Sequence, residues 1–204
     1  MARNDCVMTY ELLFALLGYA FATSITPGPN NMMLMASGAN FGLRRSVPHM
    51  LGISIGHSVM VFLVGVGLSQ LIHQFPAFNT ALKILSAAYM LWLAWKIANA
   101  AAPVDGKVSG KPFTFLQAAA FQWVNPKAWG MAITATSQYA PDQSIRSYLI
   151  VAGIFAATNL PSITVWAYAG QSLRRFLTNP ARLRAFNFTM AGLLVLSLIF
   201  VLWH

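Results

Sequence analysis

Residues 12–43, LLFALLGYAFATSITPGPNNMMLMASGANFGL, form an apolar stretch of 32 residues without a charged side chain. A helix that crosses the hydrocarbon core of a bilayer needs about 20 predominantly apolar residues. Three further stretches, residues 46–82, 147–173 and 185–204, are also free of charge. This pattern predicts an all-α membrane protein that crosses the bilayer several times.

The composition of the chain supports the same class. Of its 204 residues, 57% are hydrophobic and only 8% are charged, whereas soluble domains carry about 25% charged residues. So few charges cannot solvate the surface of a globular fold, and the high hydrophobicity excludes a disordered chain. Cys6 is the only cysteine, which excludes an intrachain disulfide and a cysteine-ligated metal cluster.

Six transmembrane helices are predicted from the lengths of the apolar stretches and from the positions of helix breakers. The first is interpreted as a retained span, because residues 1–6 are not clearly positive and no small-residue cleavage site follows. The predicted helices lie near residues 10–38, 47–70, 80–99, 113–140, 147–170 and 185–203.

Basic residues are distributed unevenly over the connecting loops. The first, third and fifth loops hold nine of them, while the opposite side holds three basic residues together with acidic ones. By the positive-inside rule, this bias places the odd-numbered loops in the cytoplasm and both termini outside. The nine are Arg44, Arg45, Lys96, Lys107, Lys111, Arg174, Arg175, Arg182 and Arg184.

Two parts of the chain resemble each other. Pro27 matches Pro126 at an offset of 99 residues, and Gly52 matches Gly153 at an offset of 101. A repeat of three helices crosses the membrane an odd number of times. The second repeat therefore enters the membrane from the other side, as in transporters with inverted repeats. We expect a first three-helix repeat over 1–96, a cytoplasmic linker over 97–112 and a second repeat over 113–204.

The first predicted helix is interrupted by Thr26-Pro27-Gly28-Pro29-Asn30-Asn31. Two prolines remove backbone donors and the glycine permits unusual dihedral angles, so the helix cannot continue. We expect Asn30 or Asn31 to cap the helix that resumes. In the fourth helix, Asn125 is a natural N-cap and Pro126 fits the first helical position, with Lys127 one residue further inside.

These two breaks predict a binding site. Two half-helix N-termini, one from each repeat, carry partial positive charge and suit a carboxylate, while the unwound carbonyl groups suit an ammonium group. A zwitterionic amino acid has both. The alternative is that the two breaks are ordinary proline kinks, which are common in membrane helices.

Four polar residues are candidates for individual roles, each with an alternative. Lys127 attracts a substrate carboxylate, or it has a structural role in which it extends along Trp129 or binds backbone carbonyl groups. His57 couples transport to protons, or it is a neutral histidine that is hydrogen-bonded to a neighbouring helix. Asn159 lines the cavity or satisfies the backbone that Pro161 frees, and Glu11 takes a proton on the outer side or is a solvated carboxylate.

Other motifs narrow the functional class. The sequence has no ATPase or hydrolase motif, so we expect that the protein is not an enzyme and uses no cofactor. Any energy for transport must then come from an ion gradient. Gly52 and Gly56 form a GxxxG motif, which allows close helix packing within the chain or in a homodimer.

The segment Thr26–Asn30, followed by Gly38, Gly42 and Gly52, resembles the LysE/RhtB family of bacterial amino-acid exporters, and residues 122–129 are similar to that family's second motif. The resemblance covers residues 8–203. It implies a multi-pass protein of the bacterial inner membrane, with the lipid bilayer, an amino acid and protons as its partners.

The implied activity is proton-driven export of a small amino acid or derivative from the cytoplasm. Residues 89–98 and the paired Asn30 and Asn31 are similar to the cysteine/O-acetylserine exporter branch. A passive channel and an exporter of another small metabolite are the alternatives. The wider superfamily also contains thiol-electron carriers, which need two membrane cysteines, and this chain has Cys6 alone.

Overall fold

The computed structural model of the chain describes residues 8–68, 76–100 and 111–202, with the backbone alone at 76–79, 82 and 199–202. The described residues are mostly helical and include no β-strand. The helices are α1 (Tyr10–Ile25), α2 (Pro29–Phe41), α3 (Leu43–Leu63, continued by a π-helical turn over Val64–Leu68), α4 (Pro76–Ala98), α5 (Phe115–Val124), α6 (Pro126–Gln138), α7 (Ile145–Leu173) and α8 (Pro180–Leu202).

Several of these helices are long and apolar enough to cross a membrane. Within the described part of the chain they are Leu43–Leu68, Ile145–Leu173 and Pro180–Leu198. The pair α1 and α2 is a fourth candidate, bent by 55° at the break between them. The predicted all-α class is therefore confirmed, and so is the interruption of the first helix.

Three predicted helices begin four or five residues earlier in the structure, and one of them is α4, which begins at Pro76 and not near residue 80. The second helix begins at Leu43, because Gly42 makes a tight turn with φ 80° directly after α2. The last helix begins at Pro180, where Asn179 Oδ1 accepts a hydrogen bond from Ala181 N at 2.8 Å. Arg182 and Arg184 therefore lie in the first two turns of α8, not in a loop.

Helices α2 and α7 contact each other backbone to backbone. A Cβ atom added at Gly38 would collide with the carbonyl oxygen of Ala167, and one added at Gly170 would collide with the carbonyl oxygen of Met35. Only glycine allows this approach. It fixes the half-helix that follows the first break against the long helix α7.

Helices α3 and α5 use the GxxxG motif. A Cβ atom at Gly52 would meet Phe115 and Ala118, and one at Gly56 would meet Ala119. The motif therefore packs within the chain, and a homodimer would have to use another surface. Gly153, which the repeat matches to Gly52, is exposed with no neighbouring side chain, so these two positions do not pack alike.

Candidate functional site

The backbone at the first break is extended. Helix α1 ends at Ile25, Thr26 has φ −63° and ψ 145°, and Gly28 has φ −176° and ψ 177°. The unusual dihedral angles that glycine permits are not used at Gly28, because any residue adopts this conformation. The glycine leaves room for Lys127 instead, since a Cβ atom at Gly28 would lie 2.9 Å from Lys127 Cδ and the lysine side chain would have to shift.

The predicted cap of the resumed helix was also wrong. Gly28 is the N-cap of α2 and offers no side chain, while Pro29 is the first helical residue. The side chain of Asn31 turns back to α1, and its Nδ2 donates to Ser24 O at 2.9 Å and to Thr26 O at 2.7 Å. Asn31 therefore pairs with carbonyl groups that the break leaves without helical partners. In an apolar environment, pairing these carbonyl groups matters more than capping the next helix.

The second break is shorter and follows the prediction. Asn125 alone separates α5 from α6, its Oδ1 accepts from Lys127 N at 3.2 Å, and Pro126 is the first residue of α6. The side chain of Asn125 is thus a standard N-cap.

Two sets of side-chain hydrogen bonds join the breaks. Asn30 Nδ2 donates to Gln122 Oε1 at 2.9 Å, and Gln122 Nε2 donates to Asn30 Oδ1 at 3.1 Å. Lys127 Nζ donates to Thr26 O and Thr26 Oγ1, both at 2.9 Å, and to Pro27 O at 3.4 Å. The start of α2 is thereby bonded to the end of α5, and the start of α6 to the end of α1.

These contacts decide between the two roles considered for Lys127 in this conformation. Its ammonium group binds backbone carbonyl groups at the C-terminal end of α1, where the helix dipole is negative. The interaction offsets the unfavourable position of a cation at the N-terminus of α6. Lys127 is not free to receive an anion while these bonds last.

A small cavity lies where the two breaks meet α3 and α7. Its volume is about 20 Å³, which holds about one water molecule. The walls combine polar side chains from both halves of the chain with a few apolar ones. The lining residues are Thr23, Ser24, Gly28, Asn30, Asn31, His57, Asn125, Lys127, Ala128, Met131, Asn159 and Ile163.

Three polar side chains in this wall form no hydrogen bond with a described residue. Ser24 Oγ and both ring nitrogens of His57 are buried and have no such partner. The amide of Asn159 lines the cavity and has no hydrogen bond to any other residue that the structure describes. A buried polar group without a partner is costly, so their convergence on one cavity indicates that they serve a polar ligand or water.

The surroundings of His57 exclude one alternative. Its ring packs edge-on against Phe155, with the centroids 5.1 Å apart, and neither nitrogen bonds to any helix residue that the structure describes. The predicted interhelical hydrogen bond of His57 was therefore wrong. Of the two roles considered for Asn159, lining the cavity is the one that the structure shows.

Some predicted site residues do not line the cavity. Pro29 and Pro126 begin helices, and Thr26 and Pro27 contribute oxygen atoms to Lys127. Glu11 is exposed in the first turn of α1, about 20 Å along the helix from its other end.

The sequence interpretation missed Ser24 and Gln122. Gln122 has a recognisable signal, since an amide in an apolar segment needs a partner. Ser24 has none, because serine is common in membrane helices. Among the described residues, no three His, Cys, Asp or Glu side chains are grouped in a way that could hold a metal ion.

Comparison with known proteins gives a consistent result. The family model for LysE type translocators matches residues 21–203. A cysteine/O-acetylserine efflux protein of Klebsiella pneumoniae is 34% identical over 194 residues, which cover 92% of this chain and 95% of the relative. The protein of the same name in Escherichia coli is 34% identical over 191 residues, with 92% and 96% covered. No solved structure matches the chain.

Proposed function

The chain belongs to the family of LysE type translocators, and we propose that it exports a small amino acid or derivative, with cysteine and O-acetylserine as the leading substrates. Members of this family are transporters and not enzymes. The observation that carries the proposal is the central cavity, where the unpartnered Ser24, His57 and Asn159 converge between the two helix breaks.

The proposed architecture is six transmembrane helices in two inverted three-helix repeats, residues 1–96 and 113–204, joined by a cytoplasmic linker over 97–112. The breaks at Pro27 and Pro126 support it, because each half-helix N-terminus is bonded to a C-terminal end from the other repeat. Most of the linker, together with Cys6, lies outside the described residues.

The proposed location is the bacterial inner membrane, with both termini outside. The positive-inside rule supports this orientation, because Arg44 and Arg45 begin α3 and Arg174 follows α7 at the end of the molecule where Gln171 Oε1 accepts from Leu43 N. These basic residues lie at the helix ends that the orientation places on the cytoplasmic side.

The substrate binds by exchange with Lys127. The oxygen atoms of Thr26 and Pro27 hold an ammonium group already, that of Lys127. A substrate ammonium group offers the same charge and the same donors, so it can take this place. The released Lys127 then pairs with the substrate carboxylate near the N-terminus of α6. Lys127 thus binds backbone carbonyl groups without substrate and the carboxylate with it.

The cavity widens during this step. A space of about 20 Å³ does not hold an amino acid, since it accommodates about one water molecule. Opening it separates the two breaks and exchanges the Asn30–Gln122 bonds for bonds to substrate. Alternating access in inverted-repeat transporters uses movements of this kind around a central site.

Proton coupling is assigned to His57 and not to Glu11. His57 lies in the cavity wall with both nitrogens unbonded, whereas Glu11 is exposed at the far end of α1. A histidine can gain and lose a proton near neutral pH. Proton binding at His57 and cation binding beside Lys127 oppose each other, which gives a physical basis for antiport.

Transport into inside-out vesicles tests the proposal. A panel of labelled amino acids that includes cysteine and O-acetylserine is offered with and without an imposed pH gradient. We expect at least one of them to accumulate above its external concentration, and accumulation to collapse in His57→Gln while downhill movement persists. Equilibration without accumulation would identify a passive channel, and movement of none would refute the proposal.

A further inference from the structure

A second, larger cavity lies at the other end of α2, next to the start of α5. Its volume is about 170 Å³, and cavities of about 150 Å³ hold a molecule the size of benzene. It is therefore large enough for a small amino acid. It is lined by Met33, Ala36, Ser37, Asn40, Phe41, Lys96, Ile97, Asn99, Ala100, Lys111 and Phe113.

The polar side chains that α2 contributes to this cavity have partners. Ser37 Oγ lies 2.8 Å from Ser46 Oγ, and Asn40 Nδ2 donates to Asn187 Oδ1 at 2.8 Å. Asn187 Nδ2 donates back to Asn40 Oδ1 at 3.2 Å. These groups form a fixed polar wall and do not by themselves call for a ligand.

Lys96, on the opposite wall of the cavity, is a cation with weaker partners than these groups. Lys96 Nζ lies 4.2 Å from the ring centroid of Phe113 and 5.4 Å from that of Trp92, and its hydrogen bond to Gln117 Oε1 is long, at 3.4 Å. It is half-buried, and no carboxylate among the described residues pairs with it. Burying a charge is costly unless it is paired, and aromatic rings compensate only in part. Lys111 brings a second cation to the same cavity.

The two cavities share one face of α2. Asn30 lines the central cavity, while Met33, Ser37 and Asn40 line the second one. Residues at this spacing lie on the same side of a helix, and Asn30 and Ser37 are about 10 Å apart along its axis. Met33 is buried between them. A molecule that moved along this face from one cavity to the other would have to displace Met33, which is packed in the core.

We propose that the second cavity is a loading site on the cytoplasmic side, where Lys96 binds the carboxylate of a small amino acid before it passes Met33 to the central cavity. The inference rests on the proposed function and deepens it. It assigns the chain two successive sites, the first selecting the carboxylate and the second the ammonium group.

Trp92 provides a readout that does not depend on transport, because its ring lies beside Lys96. The full-length protein in neutral detergent is titrated with L-cysteine under reducing conditions, and with L-cysteine methyl ester, which lacks the carboxylate. We expect a saturable change in tryptophan fluorescence with cysteine and none with the ester. The change should vanish in Trp92→Phe and persist in Asn30→Ala, which alters only the central site.

Variants at Lys96 identify the group that binds. Lys96→Gln should weaken the binding of cysteine at least about tenfold, while Lys96→Arg, which keeps the charge, should stay within about threefold. Lys83→Gln, an exposed lysine on the same helix, should bind as the unaltered protein does. In vesicles, Lys96→Gln should raise KM on the cytoplasmic side with little change in maximal rate.

Several results would overturn the loading site. They are equal binding of the methyl ester, unaltered affinity in Lys96→Gln, no saturable change with cysteine, or loss of the response in Asn30→Ala. A failure of the proposed function looks different: the unaltered protein would transport no amino acid while the Trp92 response to cysteine remained.

Discussion

The ammonium group of Lys127 donates hydrogen bonds to both oxygen atoms of Thr26, each at 2.9 Å, and so links the start of α6 to the end of α1 across 101 residues of sequence. A cation at a helix N-terminus is unfavourable on its own. Here the negative end of α1 compensates for it. The lysine thereby supplies a donor to Pro27 O and a second donor to Thr26 O, which also accepts from Asn31 Nδ2.

Removing this ammonium group should abolish transport and lower stability. Lys127→Met keeps the length of the side chain but removes the donor to Pro27 O and to Thr26 Oγ1, while Thr26 O keeps its bond from Asn31 Nδ2; the expected cost is about 1–3 kcal/mol. Thermal unfolding in detergent and initial rates of transport in vesicles measure the two effects. Lys83→Met, at an exposed position, is the control. Transport at the normal rate by Lys127→Met would remove the exchange step from the mechanism.

Gly28 and Lys127 should be energetically coupled. In Gly28→Ala the new methyl group lies 2.9 Å from Lys127 Cδ, so the lysine must move away from Thr26 and transport should fall. In a Lys127→Ala background the same substitution should add little, which a double-mutant cycle on unfolding free energies detects. Gly18→Ala, where nothing lies within 4 Å, is the matched control. Additive effects would contradict the contact.

The Asn30–Gln122 pair should be essential for transport and dispensable for folding. Asn30→Ala leaves the amide of Gln122 with its bond to Ala118 O at 2.9 Å, so we expect normal expression and a loss of stability of about 1–2 kcal/mol. Transport should be lost, because the start of α2 no longer offers its amide to substrate. Thr189→Ala, an exposed threonine whose hydroxyl donates to Ala185 O within α8, serves as control. Normal efflux by Asn30→Ala would mean that the break is only a kink.

The unpartnered groups in the cavity wall should determine affinity. Ser24→Ala and Asn159→Ala remove polar atoms that bond to no described residue, so stability should not fall and can rise slightly. KM for the substrate should increase about tenfold in each, as expected for one lost hydrogen bond to a charged ligand. The control is Thr158→Ala, whose hydroxyl donates to Ile154 O within α7 at 2.8 Å. An unchanged KM in both variants would show that these groups face water only.

Local backbone rules explain what was predictable from the sequence. Charge-free stretches locate the membrane helices, and Pro27 and Pro126 locate the breaks, because both effects depend on neighbouring residues. The cap at Asn125 follows for the same reason. Family motifs then supply the class of substrate.

Long-range contacts explain what was not predictable. Asn30 and Asn31 look alike beside a break, yet one bonds to Gln122 and the other to Ser24 O. Which partner each finds depends on how α5 and α1 approach α2. Similarly, the limited space at Gly28 comes from Lys127, a residue of the other half of the chain.

The contact between α2 and α7 should be the least tolerant of added volume. Gly170→Ala places a methyl group against the carbonyl oxygen of Met35, which is backbone and cannot rotate aside, so α2 must shift. We expect a loss of stability of about 3 kcal/mol or more, at the upper end for overpacking. On the same helix, Gly153→Ala meets no neighbour and should stabilise by about 0.5–1 kcal/mol through helix propensity. Thermal unfolding in detergent compares the two, and equal effects would show that α2 and α7 are not in backbone contact.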